Sequence, residues 1–249
     1  MNKILEICVD SLASARAAIA GGAHRLELCS ALIAGGLTPY PELLHQIRQE
    51  SEIPVRCLMR PRPGDFLYSP EEIAMMADQI RALAQAGADG FVIGCLTPEG
   101  DLDISAMEPL IRACGGRGIT LHRCIDVSRD PLETYRAARD LGIDTVLTSG
   151  AAASCRQGAK TIGALLSLRE ELGGPQVLIG AGVSAEVIRF FRREYPGACA
   201  FHMSGKRDME SAMRFRREGV PMGLPGLPEW HIPQTDPDAV REARKALYE

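Results

Sequence analysis

The chain has 249 residues, a length that suits one α/β barrel or two smaller domains, and its 46% hydrophobic and 24% charged residues exclude general disorder. A formal net charge of -4 arises from interspersed signs with no run of Lys and Arg, which argues against nucleic acid as a partner. No apolar segment approaches the roughly 20 residues needed to cross a bilayer, and Glu6 and Asp10 break the short apolar opening, so neither a membrane partner nor an export signal is expected.

Short apolar runs alternate with amphipathic stretches along the chain, at spacings suited to βα units. In chain order the expected strands are Ile4 to Cys8, Arg25 to Cys29, Val55 to Met59, Gly90 to Gly94, Ile119 to Arg123, Thr145 to Thr148, Val177 to Ile179 and Ala200 to Met203. Helical patterns lie between them. In the stretch from Pro70 to Gln85, for example, Ile73, Met76, Ala77, Ile80, Leu83 and Ala84 recur at helical spacing, with Pro70 in the first turn and Gly87 beyond the last. Glycine before a polar residue closes most helices (GGAHR, AGADG, LGIDT), as short turns into parallel strands require.

Eight such units predict a single-domain α/β fold, a TIM (β/α)8 barrel. The rival is an open doubly wound sheet, which the missing GxGxxG after the first strand disfavours. The barrel itself is expected to end near residue 216. An extension over about 217–249 should then form an extended Pro/Gly-rich tail (Arg217 to Asp238) and a terminal helix (Asp238 to Tyr248) that docks outside or on another subunit.

Chemistry in such barrels sits at the C-terminal ends of the strands. Period-two alternation puts Glu6 and Cys8 on one face, and Arg25, Glu27 and Cys29 on another. Charges among the outer helices would be costly, so both faces should point inward, while Cys57 and Met59 face the helices. With Arg60 ending strand three, His122 and Asp126 at the end of strand five, and His202 on strand eight, a polar ring is expected: Glu6, Glu27, Arg25, Arg60, His122 and His202. One reading is a structural ion-pair network in which Arg25 and Arg60 neutralise Glu6 and Glu27. Another is a site in which two carboxylates and two imidazoles hold a divalent metal or divide acid and base roles, with Asp126 as a further catalytic candidate.

Cys8 and Cys29 end neighbouring strands, so their thiols either converge on a soft ion such as Cu(I) or serve as small buried apolar groups. The other six cysteines, at 57, 95, 114, 124, 155 and 199, lack CxxC spacing and should stay thiols in a reducing cytoplasm. Thr148-Ser149-Gly150, Gly180-Ala181-Gly182 and Ser204-Gly205 follow strands six, seven and eight. These are ordinary tight turns or, with Arg62, an anion or phosphate site.

The chain resembles the CutC proteins, named for copper homeostasis. The matching segments are LEICVDSLASA at 5–15, GGAHRLELCSALIAGGLTP at 21–39, RPRPGDFLYS at 60–69, LHRCID at 121–126, LTSG at 147–150, GAGV at 180–183 and FHMSG at 201–205. Pro63, where the family usually has glycine, and Cys124-Ile125, where it usually has Ala-Phe, depart from the pattern. The resemblance implies a TIM-type barrel, a cytoplasmic location, self-association as a dimer or tetramer, and copper handling with Cys8 and Cys29 as ligands. The alternative is an enzyme, an isomerase, lyase or hydrolase, acting on a small phosphorylated or carboxylated metabolite at the barrel mouth. Here Arg25, Arg60 and Arg62 would hold the anion, with Glu6, Glu27 or His122 as acid and base.

Overall fold

A computed structural model describes residues 3–217, 219–220, 223 and 229–249. Among them, eight parallel strands close into a barrel in chain order. The strands are β1 (Ile4–Val9), β2 (Arg25–Leu28), β3 (Val55–Leu58), β4 (Gly90–Ile93), β5 (Gly118–Leu121), β6 (Thr145–Thr148), β7 (Gln176–Ile179) and β8 (Ala200–Met203). The crossovers are α1 (Leu12–Gly21), α2 (Pro41–Glu50), α3 (Pro70–Gln85), α4 (Ile104–Cys114), α5 (Pro131–Asp140), α6 (Ala159–Leu172) and α7 (Ala185–Glu194). The expected TIM barrel is therefore found.

Local chemistry explains the element ends. Ser69 and Glu72 form a reciprocal capping box at the start of α3, and Ser11, Asp103, Asp130 and Ser184 cap α1, α4, α5 and α7 with their side chains. Outward residues of the strands, among them Leu5, Ile7, Leu26, Leu28, Cys57 and Met59, are buried in the layer between barrel and helices.

Strand five is shorter than the spacing predicts. It ends at Leu121, and Arg123–Val127 wind into a 3-10 turn because the His122 ring accepts a hydrogen bond from the Cys124 amide and so caps that turn.

The C-terminal region also differs in detail. Residues 218, 221–222 and 224–228 of the proline- and glycine-rich stretch lie outside the described residues. Its flanks are not simply extended, since β9 (Lys206–Glu210) pairs antiparallel with β10 (His231–Thr235). The last helix, α8 (Pro237–Tyr248), buries Val240, Ala243, Ala246 and Leu247 and packs on α1 and α7. That is where an eighth barrel helix belongs, so the hairpin is inserted between β8 and the helix completing the outer ring.

Candidate functional site at the barrel mouth

Strand register builds the site. Glu6 on β1 lies opposite Arg25 on β2 and opposite His202 on β8, so one row across three strands carries a cation, a carboxylate and an imidazole. One row closer to the mouth, Cys8 lies opposite Glu27. Below these rows Ile4, Leu147, Leu178 and Ala200 form an apolar plug, and beside them Cys8, Cys29, Leu58 and Val92 cluster against Leu32.

Glu6 is buried and fully engaged. Its Oε2 accepts from Arg25 Nε at 2.5 Å, and its Oε1 lies 2.8 Å from His202 Nδ1. Burial would raise the Glu6 carboxyl, but Arg25 and His202 together hold it at about 2. Glu27, equally buried, is raised by desolvation, which the attraction of His202 only partly opposes. His202 moves upward as well, because Glu27 and Glu6 outweigh its own desolvation. Of the ion-pair network read from the sequence, Arg25 meets Glu6, with His202 as a further partner, but Arg60 pairs with neither Glu6 nor Glu27, because the carbonyls of Ala34, Gly36 and Gly64 hold its guanidinium.

Cys8 and Cys29 Sγ atoms are 3.6 Å apart, both buried. The Cys8 thiol is pushed well above its usual range, first by its hydrogen bond to Cys29 and then by burial and the nearby Glu27 charge. A cation placed there would reverse that tendency.

Arg60 and His122 belong to a different wall. The Arg60 guanidinium donates to the carbonyls of Ala34 and Gly36, both at 3.2 Å, and of Gly64 at 3.0 Å, and it packs over Phe66. His122 also packs against Phe66, with ring centroids 4.7 Å apart. Burial, reinforced by the Arg60 charge, pushes His122 down to about 3, so it is a neutral imidazole at physiological pH. Since its Nδ1 accepts from Cys124, the proton sits on Nε2, which has no hydrogen-bond partner among the described residues. Gly94 makes room for this ring: a Cβ there would meet His122 Cε1 at 2.6 Å and Cys124 Sγ at 2.5 Å.

Both walls face a cavity of about 620 Å³ lined by Cys8, Glu27, Arg60, His122, Arg123 and His202, with Gly182, Ser204 and Gly205 at its rim. Several candidates are elsewhere or already occupied. Arg62 does not line the cavity. Its guanidinium bonds Glu72 at 2.7 Å and Asp65 at 3.1 Å, because acidic residues of its own loop and of α3 are closer than the mouth. Asp126 is not a free acid or base, since its carboxylate accepts from the amides of Ser149 and Ala151 and the hydroxyls of Thr148 and Ser149, and pairs with Arg123. The Ser149 turn therefore already cradles an anion, and that anion belongs to the protein. The amides of Gly150 and Gly180 are taken up by Thr148. Gly150 is needed for packing, because a Cβ there would meet Gly158 O at 2.2 Å.

Two inward residues escape the sequence reading, of which only Arg123 lines the mouth cavity. Arg56 donates to Thr120 Oγ1 at 2.7 Å and pairs with Asp144 at 2.7 Å inside the barrel, and the alternation Arg56, Leu58, Arg60 carried the signal. Arg123 lines the cavity because strand five stops before it.

The family model described as the CutC family matches residues 3–207. The chain belongs to the CutC family. A CutC family protein from Chromobacterium violaceum is 41% identical over 99% of both chains, and one from Porphyromonas gingivalis is 40% identical over 96% of both. A crystal structure of a CutC from Streptococcus agalactiae, to which copper homeostasis is ascribed, is 27% identical with a TM-score of 0.76, covering 81% of this chain and 98% of that one. The CutC match ends at the start of the β9–β10 hairpin and includes both cysteines and every cavity-lining residue of the mouth named above. No helix among the described residues is long and apolar enough to cross a membrane.

Proposed function

We propose that this CutC-family chain takes up Cu(I) as cargo between Cys8 and Cys29. The observation that supports the reading is the thiol pair, 3.6 Å apart beside the cavity and enclosed by Leu58, Val92 and Leu32. Two sulfur ligands about 2.3 Å from one metal lie roughly 3.8 Å apart at a tetrahedral angle and more at wider angles, so a small outward shift of either thiol admits an ion. Soft thiolates favour Cu(I) over harder ions, and few ligands suffice for it. Uptake releases the thiol protons, so affinity rises with pH. A reducing cytoplasm goes with this reading, because both ligands must remain unoxidised.

The test is Cu(I) competition against a chelator of known affinity under reducing conditions. Cys8→Ser combined with Cys29→Ser should abolish tight binding. Affinity equal to the wild type in that double variant would remove the proposal.

A further inference from the structure

The thiol pair does not use Glu27 or His202, yet both lie close to Cys8. One ligand atom from each of Cys8, Glu27 and His202 falls within 4.8 Å of the others, and His202 Nε2 is 3.8 Å from Glu27 Oε2. All three side chains line the cavity. Around a tetrahedral ion, nitrogen and oxygen ligands at about 2.0–2.1 Å lie roughly 3.4 Å apart, and a thiolate at about 2.3 Å lies roughly 3.6 Å from either. The three groups reach that arrangement by contracting by up to about 1.2 Å.

The geometry points to a second metal site, in which Cys8, Glu27 and His202 hold a divalent ion of the zinc type and leave its fourth position open to the cavity.

Three further features agree with it. His202 is oriented as metal-bound histidines commonly are: its Nδ1 faces the Glu6 carboxylate at 2.8 Å, which leaves the Nε2 lone pair for an ion on the cavity side. Glu6 is itself fixed by Arg25, so the ring cannot swing freely. The donor set mixes sulfur, nitrogen and oxygen, which suits a borderline ion better than a purely soft one. Three protein ligands with one open position is also the pattern of zinc sites that bind and activate a small molecule. Across the cavity stands Arg60, whose cation is held by three backbone carbonyls and has no carboxylate partner among the described residues. A small oxyanion bound to the metal would meet that charge.

The site shares Cys8 with the copper reading and does not depend on it. The experiment adds Co2+ to the reduced full-length chain and records its visible and near-ultraviolet spectrum, with Zn2+ as competitor. The expected result is the d–d envelope of a four-coordinate ion with a thiolate-to-cobalt band of one-thiolate intensity, both displaced by Zn2+. His202→Gln and Glu27→Gln, confirmed as folded by circular dichroism, should each weaken Co2+ by more than about tenfold. Cys8→Ser should lose the charge-transfer band. Absence of Co2+ binding in the wild type overturns the site, as does undiminished binding in folded Glu27→Gln or His202→Gln. Loss of the cobalt spectrum in Cys29→Ser would place the ion on the thiol pair and equally overturn it. Loss of Cu(I) alone in Cys29→Ser would leave both sites standing.

Discussion

Glu6 Oε2 and Arg25 Nε meet at 2.5 Å inside the barrel, with the Glu6 side chain wholly buried and that of Arg25 only 10% exposed. Such a pair adds little compared with apolar residues of the same shape, but removing one partner strands a buried charge at a cost of about 3–5 kcal/mol. Arg25→Ala should therefore lower the unfolding free energy by that amount in a urea titration, and should let the His202 ring move. A midpoint equal to the wild type would show that Glu6 is neutralised in some other way.

Acid sensitivity follows from two groups with the same sign. The Glu6 carboxyl sits at about 2 in the folded chain against 4.5 ordinarily, so its contribution is complete above pH 4.5 and is lost as pH falls towards 2. His122 sits at about 3 against 6.5, so the unfolded chain takes up its proton first and stability drains as pH falls from about 6.5 to 3. His202 and Glu27 are raised and act in the opposite sense, losing stability as pH rises, but they are common to the wild type and a His122 variant. The difference in stability between wild type and His122→Phe, measured by denaturant titration from pH 7 to 4, should change with pH by up to about 1.4 kcal/mol per unit. A difference that does not vary with pH would contradict a buried neutral imidazole.

Asp126 holds the turn after β6 by accepting from Ser149 and Ala151 amides, and Ala151 adopts a left-handed φ of 56° there. An alanine in that region is strained and persists only where its surroundings enforce it. Asp126→Asn removes the charge from several hydrogen bonds, each worth about 1.5–3 kcal/mol with a charged partner. The expected outcome is a loss of about 2–4 kcal/mol and faster hydrogen exchange at the Ser149 and Ala151 amides. Unchanged exchange would mean that the turn holds without the Asp126 charge.

The fold was legible because strands of a parallel barrel are buried on both faces and read as short apolar runs, so each expected strand lies within a residue or two of an observed one. Alternation also placed Glu6, Cys8, Arg25, Glu27 and Cys29 inward, since a charge on the helix-facing side has no partner there. It could not say which charges meet. Arg62 and Asp126 looked as available as Arg60 and His202, and only the loops show that Glu72, Asp65 and the Ser149 turn have claimed them.

From its sequence alone, then, this chain determined its barrel, the inward set on β1 and β2, and its membership of a family, because these depend on local periodicity and on ordered motifs. Tertiary structure decided the rest. Closure of β8 onto β1 brings His202 to Glu6 across 196 positions of chain, the β1–β2 register sets Cys8 beside Glu27, and the His122 cap ends β5 early enough to turn Arg123 towards the cavity. Each of these depends on distances between segments remote in sequence, which no local pattern encodes.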